Sequence, residues 1–427
     1  MKTRINVLLI VVFIFNLFCG CEESTGVDDK NYDSTLIAHA GSDQTCNAGS
    51  FVYLDISQSS FPKNKSLIFD WKQDEDNPEE IALFSNHQFI NPRAVFYKAG
   101  VYKFYLQLKI DTLKTNHEIK YGNIDDVTVT VEPRNIGIIK DIILESDIRM
   151  AINEPTEELN STLLESVDSL LLGHYSLNRI QSLSGIEYCK NLKFLNASLQ
   201  RISDLTPLSE LHILEWLNLS QNWTFRNIEP LANLINLKYL DLDGNYVPYI
   251  GYLENLDRLE YLNIMYNEKI TNISCISDMK NLKELWISNS EVGNLDEVKS
   301  LTELTTLWAA KCGMEDVFAI KNLTELKILF LKYNNISDIS ELKNLIKLER
   351  LYLDDNNITD ISVLEKMVNV NKFTLDNNNI EDILPLVNNK GFNGTGHMVS
   401  LTGNPLNEKS KTEYIQNLRA RGVIVIY

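Results

Sequence analysis

The sequence lacks an excess of positive charge. It contains 40 Lys and Arg residues against 58 Asp and Glu residues, which gives a formal net charge of −18. Nucleic-acid binding is disfavoured, because a protein must neutralise backbone phosphates with Lys and Arg. Attachment to an anionic lipid surface by charge alone is disfavoured for the same reason. We therefore expect no nucleic-acid partner, and no membrane contact other than through a lipid anchor.

The sequence is also poor in the patterns that form catalytic or metal sites. Its six histidines are scattered, its cysteines show no CxxC spacing, and it contains no nucleophile motif or phosphate-binding loop. We therefore expect a non-enzymatic binding protein without a metal ion or cofactor. An acidic segment contains Asp74–Asp76, Glu79 and Glu80. We interpret it as a solvated loop, and a calcium-binding loop is the alternative.

The first 21 residues have the layout of an export signal. Lys2 and Arg4 precede an apolar run over residues 7–18, which is shorter than the about 20 residues that span a bilayer. The run ends just before Gly20 and Cys21, a pattern that resembles bacterial lipoprotein signals. The resemblance implies a lipid on Cys21 and a location in the bacterial cell envelope, at the outer membrane or the cell surface. The alternative is an ordinary signal peptide in which the cysteines are incidental.

Four cysteines remain after this signal, and all lie far apart in the sequence. An even number of cysteines in an exported protein raises the possibility of disulfides. The repeat pattern of the later sequence, however, places at least two of them in interior positions. We therefore prefer buried free thiols for this set: Cys46, Cys189, Cys275 and Cys312.

Residues 22–35 are polar and acidic, and are predicted to form a flexible tether. Residues 36–133 then alternate apolar and polar positions, as in Phe51–Ile56, Val101–Leu108 and Val127–Val131. Short runs of this kind, separated by Gly, Pro and Asn clusters, predict an all-β sandwich.

Several segments of this region match one known family. They are Ala40–Gln44, Leu54–Ser57, Phe69–Trp71, Ala99–Phe104 and Asp125–Val129. In these segments the region resembles the polycystic-kidney-disease (PKD) family of immunoglobulin-like domains. The resemblance implies a spacer in a surface protein.

Beyond residue 190 the chain is periodic. A leucine or valine opens a unit every 22 or 23 residues, at Leu192, Leu214, Leu237, Leu259, Leu282, Leu304, Leu326, Leu348 and Val370. Each unit has the form L-x-x-L-x-L-x-x-N-x-I, most clearly in Leu326–Ile339. A fixed period of this length indicates a solenoid. The L-x-L segment predicts a short strand with both leucines on one face, which is buried by stacking on neighbouring units.

An asparagine follows the strand in most units and is predicted to be buried, where its amide can satisfy backbone groups of adjacent turns. Ser290 and Cys312 occupy the same position in their units. The asparagines are Asn222, Asn245, Asn267, Asn334, Asn356, Asn378 and Asn404.

These units resemble the leucine-rich-repeat family, specifically the short-repeat class of bacterial internalins. The resemblance implies an N-terminal cap with a degenerate first repeat over residues 134–191, repeats over 192–404 and a C-terminal cap over 405–427. The predicted fold is therefore mixed. It is an immunoglobulin-like β-sandwich followed by a leucine-rich-repeat solenoid with a parallel concave β-sheet and helical caps.

The intervening positions of L-x-x-L-x-L point outward on the concave face, and eight consecutive units each carry one aromatic residue there. These predicted ligand-binding residues are Phe194, Trp216, Tyr239, Tyr261, Trp286, Trp308, Phe330 and Tyr352. Trp and Tyr dominate interface energies, which favours a binding surface. The alternative is a packing ladder that reflects the high strand propensity of aromatic residues. Flanking aspartates, among them Asp241 and Asp354, are expected to favour a basic or hydroxyl-rich partner.

The predicted function is recognition of a partner protein at the cell surface, by analogy with internalins. Glycan binding is an alternative, because tryptophan and tyrosine faces also stack on sugar rings. A structural spacer without a specific ligand is the remaining alternative.

Overall fold

The computed structural model describes residues 33–62, 67–79, 83–84, 92–111, 119–133, 137–154, 157–173, 179–293 and 295–427. The predicted signal and the lipidation site Cys21 lie outside the described residues. Within the described ranges, no helix has the length and apolar character needed to cross a bilayer.

The N-terminal region is a small mixed β-structure of two sheets. Its strands are β1 (Gln44–Asn47), β2 (Phe51–Tyr53), β3 (Leu67–Gln73), β4 (Leu83–Phe84), β5 (Arg93–Val95), β6 (Gly100–Asp111) and β7 (Ile119–Glu132). One sheet has the order β1-β7-β6-β3, in which β1 and β7 are parallel, and the other has the order β2-β5-β4. The alternation predicted for β6 is confirmed, since Tyr102, Phe104 and Leu106 are buried while Val101 is exposed.

Two helices, α1 (Ile142–Ile152) and α2 (Ser161–Glu165), connect this region to the solenoid. Asp141 caps α1, because its Oδ1 accepts hydrogen bonds from the N–H groups of Ile143 and Leu144. Its Oδ2 accepts from the N–H groups of Gln181 and Ser182, at distances of 2.9 and 3.3 Å. One carboxylate thus fixes both the helix start and the first turn of the repeats.

The solenoid is a 12-stranded parallel sheet in which the strands follow one another in sequence order. The strands are β8 (Ser169–Leu171), β9 (Phe194–Asn196), β10 (Trp216–Asn218), β11 (Tyr239–Asp241), β12 (Tyr261–Asn263), β13 (Glu284–Trp286), β14 (Thr306–Trp308), β15 (Ile328–Phe330), β16 (Arg350–Tyr352), β17 (Lys372–Thr374), β18 (Met398–Ser400) and β19 (Ile424–Ile426).

Short 3₁₀ turns carry the chain back between consecutive strands from β8 to β17. They are Ile186–Tyr188, Thr206–Leu208, Glu229–Leu231, Gly251–Leu253, Ser274–Asp278, Asp296–Ser300, Phe318–Ile320, Ser340–Asn344 and Ser362–Lys366. Helix α3 (Leu384–Asn388) takes this place before β18. A π-helical turn (Ser410–Tyr414) and helix α4 (Ile415–Ala420) precede the last strand.

The core of the solenoid is a row of leucines at the centre of the strands. Leu285 pairs in register with Leu307, and both are fully buried, as is Leu351 two units further on. Because strand side chains alternate, the residues on either side of each leucine face the concave surface. The register predicted from the repeat is confirmed.

The asparagine row is confirmed as a hydrogen-bonding ladder that is buried at every predicted position except Asn404, which is half-buried. Asn356 donates from Nδ2 to the carbonyl oxygens of Leu331 and Leu353, both at 3.0 Å, and its Oδ1 accepts from Ile336 N–H at 3.0 Å. One side chain therefore satisfies backbone groups of two consecutive units. Cys312 substitutes for the amide in its unit, with Sγ 3.3 Å from the Ile287 carbonyl oxygen.

The residue before each asparagine, or before Cys312 where it replaces the asparagine, has a left-handed backbone, which the sequence did not predict. Lys311, Tyr333 and Asp355 have φ angles of 52°, 57° and 56°. Gly244 and Gly403 stand in the same row, where glycine adopts this conformation without strain. Where the residue is not glycine, the turn that leaves the sheet imposes the left-handed conformation. For example, Tyr333 N–H donates a hydrogen bond to the Asp354 carbonyl oxygen at 3.0 Å.

The four described cysteines are free, as expected. Cys46, Cys189 and Cys312 are buried, and Cys275 is half-buried. Burial raises the pKa of the Cys46 thiol to about 11 and that of Cys189 to about 12. These thiols are therefore protonated at neutral pH and belong to the core.

Candidate functional site

Eight aromatic side chains form a continuous row on the concave face, which we call the concave stripe. In β9–β12 the ring is on the first strand residue: Phe194, Trp216, Tyr239 and Tyr261. In β13–β16 it is on the last strand residue: Trp286, Trp308, Phe330 and Tyr352. All eight side chains are half-buried. The structure thus brings together every residue predicted for the site.

Rings of neighbouring units stack face to face. The centroids of Phe194 and Trp216 are 4.1 Å apart with an interplanar angle of 13°, and those of Tyr239 and Tyr261 are 4.2 Å apart at 7°. Trp308 lies 4.7 Å from Trp286 at 10°. The parallel register sets these distances, because adjacent strands are about 4.8 Å apart.

The row remains continuous where it changes column. Tyr261 pairs in register with Glu284, and Trp286 pairs with Asn263, so the two rings are diagonal neighbours. Their centroids are 5.9 Å apart with an interplanar angle of 47°. This tilted contact is within the range of favourable aromatic pairs. The concave stripe is therefore one surface across eight units.

Stacking determines which part of each ring is accessible. Two flat partners cover the faces of an inner ring such as Trp308, so its edge is directed toward the concave side. The indole N–H of Trp286 is buried and has no hydrogen-bond partner among the described residues. Such a group costs about 1–3 kcal/mol. The position of Trp286 is therefore set by ring packing and not by hydrogen bonding.

Charged residues of both signs form the rim beside the stripe. Lys238 pairs with Glu215 and Lys283 pairs with Glu260, each at 2.6 Å. The pairing with Lys238 lowers the pKa of the Glu215 carboxyl. Exposed ion pairs contribute little stability, but they impose specificity on a partner. A shallow cavity of about 450 Å³ lies here, lined by Lys238, Tyr239, Glu260, Tyr261, Lys283 and Glu284.

Asp354, one of the aspartates that flank the stripe, is used inside the repeat. This residue is buried, and its Oδ2 is 2.7 Å from Lys332 Nζ and accepts a hydrogen bond from Thr374 Oγ1. Asp241 is also buried, and burial raises the pKa of its carboxyl to about 6. These carboxylates are used inside the repeat, because the turn after the strand requires acceptors for its N–H groups.

The acidic loop of the β-region is hydrogen-bonded to neighbouring segments of that region. Asp74 Oδ2 accepts from the Tyr105 hydroxyl at 2.6 Å, and Glu79 Oε1 accepts from the N–H groups of Tyr97 and Lys98, both at 2.9 Å. Across the described part of the chain, no group of three or more His, Cys, Asp or Glu residues is placed to hold a metal ion.

A second aromatic cluster was not predicted as a site. It lies where the chain leaves the strands, and it forms a groove of about 400 Å³, which we call the flank groove. Its lining is Trp223, Arg226, Asn245, Tyr246, Pro248, Tyr266, Glu268 and Lys269. The signal that could have revealed it is the unit length, because units of 22 and 23 residues alternate in this part of the sequence.

No protein-family model matches the chain, and no match was found among curated proteins. Solved structures do match. The functional domain of InlJ from Listeria monocytogenes, which includes a cysteine ladder, is 23% identical, covers 63% of this chain and 56% of its own, and has a TM-score of 0.55. An internalin (inlF) of the same organism is 26% identical over 60% of this chain and 95% of its own, with a TM-score of 0.41. The similarity to InlJ shows that the fold is a leucine-rich-repeat solenoid.

Proposed function

We propose that this chain is a cell-envelope binding protein that recognises a partner protein through its concave stripe. The observation that carries the proposal is the unbroken row of eight half-buried rings, one on each of eight consecutive strands. Solenoids use their concave surfaces for extended binding. A row of aromatic residues along such a surface supplies the contacts that dominate interface energies.

A packing role alone explains the spacing of the rings, but it does not explain why they lie on the concave surface. The leucine row lies on the opposite face of the same strands, where Leu195, Leu217, Leu285 and Leu329 are fully buried. The rings therefore form an additional layer on the concave side of the core. Aromatic side chains left partly open to solvent in a contiguous row are typical of interaction surfaces.

The stacking favours a protein partner over a glycan at this surface. A sugar ring stacks on an aromatic face, and the faces of the inner rings are covered by their neighbours at 4.1 to 4.7 Å. Apolar side chains of a protein can pack against ring edges, and backbone or charged groups can pair with the rim of Lys and Glu residues. Glycan binding at the stripe and a spacer without ligand remain the alternative functions.

The proposal extends to the N-terminal part of the chain. A lipid on Cys21 would anchor the protein in the envelope, with residues 22–35 as a tether and the PKD-like region as a spacer that raises the repeats above the membrane. The residue pattern around Cys21 supports this anchor. Each buried methylene of an acyl chain contributes about 0.8 kcal/mol, so two or three chains hold firmly.

Site-specific photocrosslinking on intact cells tests the proposed surface. A photoreactive amino acid replaces Arg350, which is exposed on the concave strand β16, or Lys343, which is exposed on the 3₁₀ turn of the preceding repeat. We expect a discrete protease-sensitive adduct from position 350 that is lost when Trp308→Ala is added, and none from position 343. Equal adducts from both positions, or adducts that survive protease but not periodate, would refute a protein partner at the stripe.

A further inference from the structure

Two repeat units are one residue longer than the others. The units that begin at Leu214 and Leu259 have 23 residues, whereas the other units between residues 192 and 370 have 22. The additional residue falls between the buried asparagine and the second buried apolar residue that follows it. In Asn222–Ile228 and Asn267–Ile273 these residues are six apart, against five in a standard unit. The two longer turns flank one turn of standard length.

The longer turn at Asn222 changes the hydrogen-bonding pattern of the ladder. In a standard unit the N–H two residues after the asparagine donates to the next asparagine, as Ile336 N–H does to Asn356 Oδ1. In the longer turn Trp223 N–H donates to Asn245 Oδ1 at 3.1 Å, and Trp223 takes a φ of 60°. Its indole is directed outward with 47% of its surface exposed. The insertion thus creates one wall of the flank groove.

The rings of the flank groove are open where those of the concave stripe are covered. Tyr246 and Tyr266 are 51% and 48% exposed. Trp223 meets Tyr246 edge to face, with centroids 6.2 Å apart and an interplanar angle of 66°. Among the described residues no flat stacking partner covers any of the three rings. The ring faces that the Trp223–Tyr246 contact leaves uncovered are therefore accessible to a flat apolar surface such as that of a sugar ring.

Two cations at the groove have no carboxylate partner within the described ranges. Arg226 Cζ lies 5.8 Å from the centroid of the Tyr246 ring, and Lys269 lines the same cavity. Neither is in a salt bridge with a described residue, although the chain has a net charge of −18. Glu268 is the only acidic residue of the lining. Unpaired cations beside open aromatic faces are complementary to a ligand that carries a carboxylate and an apolar ring face.

We propose that the flank groove binds an acidic saccharide through a uronate residue. The sugar ring stacks on the open faces of Trp223, Tyr246 or Tyr266, and its carboxylate is held by Arg226 and Lys269. Glu268 accepts hydrogen bonds from hydroxyl groups. The volume of about 400 Å³ is within the range of about 300–1,000 Å³ that is usual for small-ligand sites. This site is separate from the concave stripe and does not depend on its proposed partner.

Calorimetric titration of the detergent-solubilised full chain tests the proposal. The probes are tetrasaccharides of galacturonate, mannuronate and glucuronate-containing hyaluronan, with maltotetraose as the neutral comparison and poly-glutamate as an acidic peptide. We expect at least one uronate probe to bind ten times more tightly than maltotetraose. Affinity should fall as salt rises, and Arg226→Gln should reduce the preference for the acidic sugar at least threefold.

A matched pair of variants locates the site. Tyr266→Asn and Tyr333→Asn make the same change at equivalent positions, since each tyrosine precedes a buried asparagine and has a left-handed backbone, with φ of 53° and 57°. Asparagine tolerates this conformation, so both variants should fold. We expect at least a tenfold loss of uronate affinity in Tyr266→Asn and none in Tyr333→Asn or Trp308→Ala. No uronate binding, equal losses in both tyrosine variants, or binding of poly-glutamate alone would overturn the proposal.

Discussion

The concave stripe and the flank groove are both aromatic, yet they differ in how much of each ring is available. In the stripe, the constant register of the strands places rings on top of one another, and centroids such as those of Trp308 and Phe330 are 4.3 Å apart. In the groove, an added residue lengthens the turn after the strand, and Trp223 and Tyr246 meet at 66°. Regular repetition produces a packed surface with open edges, and a local irregularity produces open faces.

The difference shows that two features of a repeat sequence create surfaces: the residues that consecutive units share, and the places where one unit departs from the others. A property shared by consecutive units becomes an extended surface, because each unit contributes one element to a row. A departure from the repeat acts at one place only. Extended surfaces suit large partners such as proteins, whereas a single interruption suits a small ligand.

The largest expected effect concerns the support beneath the stripe. Leu285→Ala removes a fully buried side chain next to Trp286, and a cavity there should cost about 2–5 kcal/mol of unfolding free energy. At temperatures where the Leu285→Ala variant is still folded, crosslinking from position 350 and uronate binding should both persist. Chemical denaturation and the two binding assays check this. A melting temperature equal to that of the wild type would show that Leu285 does not face the core.

The asparagine ladder stabilises the whole solenoid, but among the described residues it contacts the backbone of the flank groove only at Asn245. A pair of asparagine variants tests this difference. Asn356→Leu leaves Ile336 N–H without its acceptor, at about 1–3 kcal/mol for an orphaned group. It also removes one of the two amide donors to each of the Leu331 and Leu353 carbonyl groups, which keep Asn334 and Asn378. Asn245→Leu should destabilise by a similar amount, and it also removes the acceptor of Trp223 N–H.

We therefore expect both asparagine variants to melt at lower temperature, but only Asn245→Leu to lose uronate affinity. Circular dichroism melts and calorimetric titration measure the two properties. An equal loss of affinity in Asn356→Leu would mean that the flank groove responds to general destabilisation.

Ring truncation compares the two aromatic regions directly. Trp308→Ala removes two stacking contacts, each worth about 0.5–1.5 kcal/mol, so we expect a loss of about 1–3 kcal/mol together with loss of the concave adduct. Tyr246→Ala removes a half-exposed ring and should cost about 0.5 kcal/mol or less. Denaturant titrations of both variants provide the measurement. Similar costs in the two variants would remove the distinction between stacked and open rings.

A further expected effect is a pH dependence of stability at Asp241, beside the stripe. Burial raises the pKa of Asp241 to about 6 in the folded protein, above its unfolded value of 3.8. The folded state therefore binds more protons between these values, and this group's contribution to stability falls as pH rises from about 4 to 6, by at most about 1.4 kcal/mol per pH unit. Above pH 6 the cost is constant.

Asp241→Asn should remove this slope and raise the melting temperature at pH 7. Asparagine fits the site, since Asn218 and Asn263 occupy the same position in the neighbouring units and accept from Ser220 and Met265 N–H groups. Thermal melts of variant and wild type at pH 4.5 and pH 7 check the prediction. A difference between the two proteins that is the same at both pH values would contradict it.

The sequence by itself determined the solenoid, its register and the position of the stripe. These follow from local periodicity, because the strand places alternate residues on opposite faces and each unit repeats the last. Spacing alone places Leu285 in the core, Asn356 in the buried ladder and Trp308 on the concave face. The β-rich character of the N-terminal region follows in the same way from alternation.

Only the tertiary structure decided which ring faces are covered, which carboxylates are buried and where the backbone is left-handed. Stacking depends on ring orientation between units, and the burial of Asp354 depends on Lys332 and Thr374 from the units on either side. The left-handed row at Tyr266, Lys311 and Tyr333 has no common residue type, because the turn that leaves the sheet imposes it. Such properties arise between units, whereas the pattern in the sequence describes each unit by itself.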